Sequence, residues 1–229
     1  MCFTPWISLS TALIEFFVAT FILIRYKDYL VPAFSAILIY VLGLYQFTEF
    51  MLCTTNYFVF WATLGFATYT FLPAIAVHMA IRFTKEKFNN YLWYIPPVIF
   101  SAIAFLKEDF IISAGCEKVF VTVITVFTNP LNLILYDLYL VYYGGFILIA
   151  GFLLVSHFRN NQMKQIYIWW AGLGILTMVA PVILIVILPS LEVQFPSVYC
   201  EFALLFSIVA VVTSEIYHKK KKKERLISG

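Results

Sequence analysis

The stretch SVYCEFALLFSIVAVVTSEIYHKKKKKER, residues 197–225, decides the fold. An apolar run of membrane length ends at Tyr217 and empties into His218, then five consecutive lysines, Lys219 to Lys223. Lysines beside such a run resist transfer across a bilayer, so this end is expected in the cytoplasm. Every other span can be threaded backward from that anchor.

Composition points to lipid as the solvent. The chain of 229 residues is 63% hydrophobic and 12% charged, with a mean hydropathy of +0.93. A soluble domain carries about 25% charged residues, so the polar shell that a globular core needs is missing. Ile7 to Ile24 follows no basic n-region and reads as a retained first span rather than a signal peptide.

Seven apolar segments can be drawn, at about 6–24, 30–52, 57–82, 91–106, 131–156, 166–188 and 197–217. Each is read as a helix crossing a hydrocarbon core of about 30 Å. The fourth is short, and its Pro96-Pro97 predicts a kinked or tilted helix. The expected fold is an all-α integral membrane protein, a seven-transmembrane helix bundle over residues 1–217 with a basic cytoplasmic tail over 218–229.

With the C-terminus inside, the N-terminus falls outside. The inner segments then hold Arg25, Lys27, Arg82, Lys85, Lys87, Arg159, Lys164, Lys219 to Lys223 and Arg225, which is 13 of the 15 basic residues. Only Lys107 and Lys118 remain outside, the asymmetry that the positive-inside rule requires. Trp6 and Trp61 fall toward the outer interface, and Trp93, Trp169 and Trp170 toward the inner one.

The longest loop, about 107–130, contains Val119 to Phe127, rich in β-branched and aromatic residues and followed by Asn129-Pro130. It predicts a β-strand or short β-hairpin forming an outer lid between helices four and five. The alternative is that 119–127 enters the bilayer as part of a longer fifth span. All four cysteines, Cys2, Cys53, Cys116 and Cys200, fall at or near the outer face on this topology, where three pairings are open. A bridge from Cys53 to Cys116 would pin the loop; the competing reading is that these are small apolar residues of membrane helices.

Charged and polar side chains at membrane depth are costly and usually face the bundle interior. The candidates are Glu15 in span one, Gln46 and Glu49 in span two, Asp137 with Tyr136 and Tyr139 in span five, and Glu201 in span seven. Glu49, Asp137 and Glu201 are expected to converge under the Cys116 loop, in a ligand-binding pocket suited to a cation, an amine or a proton. The plainer reading leaves Glu49 and Glu201 solvated among headgroups. No Lys or Arg lies inside a span to neutralise Glu15 or Asp137. Behaviour linked to protonation is therefore expected.

His78, His157 and His218 fall at one depth on the inner side, and three imidazoles can hold a catalytic zinc. Seven-span hydrolases of the ceramidase and adiponectin-receptor type use such a metal. Their paired His-x-x-x-His spacing is absent here, so the histidines are more simply interfacial. Phosphate loops, His-Glu-x-x-His and Gly-x-Ser-x-Gly are absent too, and the sequence names no cofactor.

Leu44 to Phe50, Phe71-Leu72-Pro73-Ala74 and His78 to Thr84 resemble the seven-span N-terminal sensor region of bacterial histidine kinases. The opening Met1-Cys2-Phe3, the Gln46-x-x-Glu49 pair and Ser197 to Ala203 resemble a family of uncharacterised bacterial multi-span membrane proteins. The sensor resemblance implies a ligand bound within the bundle and a helix shift passed to the cytoplasm. No effector follows Arg225, so output is expected through a separate partner.

The leading expectation is a receptor-like or sensor-like module with an outward-facing pocket, in a bacterial inner membrane. A membrane-embedded metal-dependent hydrolase and a structural subunit of a larger membrane complex are the alternatives. Expected partners are the lipid bilayer, anionic lipid headgroups at Lys219 to Lys223, and a signalling or complex partner. Nucleic acid is not expected.

Overall fold

The structure is a computed structural model and describes residues 5–84, 91–116, 121–127, 129, 132–156, 164–187 and 195–228. Among these residues, eight α-helices and one two-stranded sheet follow in the order α1 (Pro5–Arg25), α2 (Leu30–Thr54), α3 (Phe58–Thr70), α4 (Leu72–Thr84), α5 (Ile95–Leu106), β1 (Ile111–Cys116), β2 (Val121–Thr125), α6 (Leu133–Ser156), α7 (Lys164–Ile187) and α8 (Phe195–Ser228). Among the described residues, five helical stretches are long and apolar enough to cross a membrane: α1, α2, residues 58–84, α6, and residues 202–224 within α8. Lipid contact follows from their surfaces. Phe17, Phe152 and Ile134 are 74%, 72% and 83% exposed, a cost in water that a hydrocarbon solvent removes.

Because these helices are apolar all round, size and polarity choose the inward face. On α1 the buried residues are Ser8, Thr11, Ala12, Glu15, Ala19 and Ile22, one stripe at helical spacing. Leu13, Phe17, Phe21 and Ile24 face out. Small and polar groups let backbones approach, and that approach holds membrane helices together where apolar burial cannot. Gly43 on α2 shows how close it is: an added Cβ would stand 2.9 Å from the Phe16 ring and 3.2 Å from Glu15 Cβ.

The third expected span is broken in the middle. Pro73 has no N–H to give Tyr69, and its ring would strike that carbonyl in a continuous helix. The chain therefore steps at Phe71, whose N–H is shared by the Thr68 and Tyr69 carbonyls. Helix α6 binds the step, with the Tyr142 hydroxyl donating to Thr70 O at 2.6 Å and Tyr139 pairing with the Thr70 hydroxyl at 2.9 Å. Pro96 and Pro97 stand at the start of their helix, so they put no kink in its middle. They occupy its first turn, after a 3-10 turn at Leu92–Tyr94, where no backbone donor is needed. Helix α5 is only 12 residues long.

Strands β1 and β2 pair antiparallel, with Cys116 opposite Val121, Ala114 opposite Val123 and Ile111 opposite Thr125. A short sheet therefore stands between α5 and α6, and the longer fifth span does not form. Helix α2 packs on α1, α3, α4 and α8, while α6 packs on α4 and α7. Trp170 is not a headgroup-facing belt residue: it is buried and donates from Nε1 to the Thr213 hydroxyl at 3.2 Å, tying α7 to α8.

Helix α8 does not stop before the lysines. It runs 34 residues, through Lys219 to Lys223, with Glu215–Lys219 and Lys221–Glu224 pairs along it. One clasp ties it to the α1–α2 turn, where the Tyr26 phenol donates to Glu215 at 2.6 Å. Burial first, then the bond to Glu215 and its charge, push that phenol up to about 12. A raised folded value means the clasp contributes fully below the unfolded phenol value of about 10 and is lost as pH rises through the folded one. Tyr26→Phe is expected to lower stability by about 1 kcal/mol at pH 7. Thermal melts should show the gap between the two proteins closing above pH 10 to 12, the window set by the two values.

Candidate functional site

Two helices and one strand close on a cavity at the hairpin end of the bundle. Tyr45, Thr48, Glu49 and Leu52 come from α2, Trp61, Ala62, Gly65, Phe66 and Tyr69 from α3, and Val121 and Val123 from β2. The cavity measures about 20 Å³. Its lining leaves room for a small occupant such as water.

Local sequence explains the shape. Tyr45, Thr48, Glu49 and Leu52 recur at three- and four-residue steps and share one face of α2. Gly65 lets α3 come close, since a Cβ there would stand 2.8 Å from Thr48 Oγ1. Thr48 turns its hydroxyl to Tyr45 O at 2.7 Å, and Tyr45 meets Tyr69 edge to face at 5.6 Å. Glu49 is 4% exposed and accepts from the Ser8 hydroxyl at 3.5 Å.

The roof is fastened twice. One turn beyond Glu49, Cys53 is disulfide-bonded to Cys116 at the end of β1, with Cα atoms 5.4 Å apart. Val121, opposite Cys116, packs with Leu52 and Ala62. At the hairpin's other end, Phe110 and Phe127 bury their rings beside Phe66, Phe100 and Tyr139. The hairpin is thus held at both ends over a buried carboxyl group.

The expected site residues are only partly gathered. Glu15, Gln46 and Glu49 all lie buried along the α1–α2 seam. Asp137 is exposed on α6, a helix whose main partners are α4 and α7, so the structure does not bring it to Glu49. Tyr136 is half-buried beside it, and Tyr139 belongs to the aromatic cluster rather than to the cavity. Glu201 is on α8, with its side chain outside the described residues, as is that of Cys200; Cys2 and His157 lie outside them altogether.

His78 bonds the Tyr94 hydroxyl through Nδ1 at 3.0 Å and accepts from Arg82 Nε at 3.3 Å. His218 packs against the Tyr26 and Tyr29 rings. Among the described residues no group of three His, Cys, Asp or Glu side chains is placed to hold a metal.

Thr48, Gly65 and Ser8 were not expected. The signal was present in part: Ser8, Thr11 and Glu15 repeat at helical spacing, as do Tyr45, Thr48 and Glu49. What the sequence lacked was the facing between α2 and α3. No known protein family, no curated protein and no solved structure matches the chain.

Proposed function

We propose that the chain is a seven-span receptor-like or sensor-like membrane module that takes a small cation in the cavity beneath the hairpin. The observation that carries this reading is a buried carboxyl group, Glu49, on a cavity of about 20 Å³ whose roof is a disulfide-pinned hairpin.

The bias of 13 basic residues to one side supports an outward N-terminus, and a Cys53–Cys116 bridge fits an oxidising outer face. The bilayer we assign is a bacterial cytoplasmic membrane, on the strength of the resemblances. Output passes along α8, whose helix continues from the packed bundle through the lysine run to a partner or to anionic headgroups.

Thermal melting of the purified protein at fixed ionic strength, with alkali and alkaline-earth cations added singly, tests the reading. One cation at about 100 times its Kd should stabilise wild type by about 2.7 kcal/mol and leave Glu49→Gln unmoved. If no cation shifts wild type, the cavity holds water and the reading falls.

A further inference from the structure

Helices α1 and α2 bury a column of polar side chains in the broadest helix–helix contact of the bundle. Ser8, Thr11 and Glu15 line α1, and Gln46 and Glu49 line α2; all are under 9% exposed. At the hairpin end, Ser8 meets Glu49. Two turns deeper the column ends at Glu15, which is 0% exposed and sits where Gly43 gives it room. Neither Glu15 carboxyl oxygen has a hydrogen-bond partner among the described residues.

A bare carboxylate in such a place lacks any compensating charge. Helix α1 packs on α2 and α8. The titratable groups of α2 are Tyr40, which pairs with Thr20, and Tyr45 and Glu49 at the cavity. Helix α8 carries Tyr199, Cys200 and Glu201 early, then Glu215, Tyr217 and His218 at the clasp. Neither helix has a Lys or Arg before Lys219. A metal cation would need several oxygen ligands, and the atoms nearest Gly43 beside Glu15 are Phe16 ring carbons. A proton neutralises the group without further ligands.

We propose that Glu15 is a reversible proton-binding site within the bundle, reached from the hairpin end along Ser8, Glu49 and Gln46. The route rests on the cavity reading above, while the site does not. Losing the proton would put a charge in the α1–α2 seam and loosen it, which makes Glu15 a means of converting pH into a change of helix packing.

Dicyclohexylcarbodiimide tests this on the whole protein in vesicles. It is apolar, and it adds to a protonated carboxyl group to leave a stable acylurea that peptide mass spectrometry locates. Wild type and Glu15→Asp should be modified at position 15 and Glu15→Gln should not. Modification should fall about tenfold per pH unit above the group's own midpoint. A folded protein unmodified at Glu15 at every pH, or modified equally at all, overturns the proposal. So does suppression by sodium at constant pH and ionic strength, which would make this a cation site. If Glu15→Gln does not fold, the wild-type pH series decides alone. Labelling with no cation-induced thermal shift would remove the cavity reading and keep the proton site; the reverse pattern would do the opposite.

Discussion

Phe66→Ala is expected to destabilise the protein by about 3–5 kcal/mol and to free the hairpin. Phe66 is 1% exposed, and its ring lies 4.8 Å from Phe110, 6.0 Å from Phe127 and 5.4 Å from Tyr139. It joins α3 to one end of the hairpin, at the residues flanking both strands, and to α6 through one side chain. Truncation leaves a void that rings held on the hairpin and on α6 cannot all move to fill. Thermal melting gives the magnitude, and limited proteolysis across 107–130 reports the hairpin. A loss under about 1 kcal/mol with the hairpin still protected would show that the cluster repacks freely.

Replacing Cys53 and Cys116 together by serine is expected to cost about 4 kcal/mol, the chain-entropy value for cysteines 63 residues apart. The effect should be felt locally as well. Without the bridge the Cys116 end keeps only the packing of Val121 on Leu52 and Ala62, so any cation-induced stabilisation should weaken along with the global melt. Reductant should reproduce the double variant in wild type and do nothing to the variant. If reductant leaves the wild-type melt unchanged at full reduction, measured by thiol labelling, the bridge contributes nothing to the fold.

Helix positions were legible because 20-residue apolar runs between short polar loops have few alternative readings in a chain so poor in charge. The β-branched segment around Val121 to Thr125 likewise announced its strand. Errors arose where a single backbone group decided the outcome. Pro73 and Pro96-Pro97 are alike as sequence and both stand in the first turn of a helix, but α3 ends directly before Pro73, so that proline divides one apolar run where Pro96-Pro97 opens a new helix. The candidate site was legible as a set of carboxylates but not as a place. Glu49 and Asp137 look equivalent along the chain, and only packing buries the first and exposes the second.

The sequence by itself pointed to lipid as the solvent and to where the long apolar helices run. Those properties depend on composition and local order, which every segment carries alone. Tertiary structure decided which faces turn inward, that α3 lies against Thr48 at Gly65, and that Cys53 meets Cys116 under a hairpin. When both solvent and core are apolar, hydrophobic pattern no longer distinguishes inside from outside. Close approach of backbones and pairing of the few polar groups must make that choice, and both depend on residues distant in the chain.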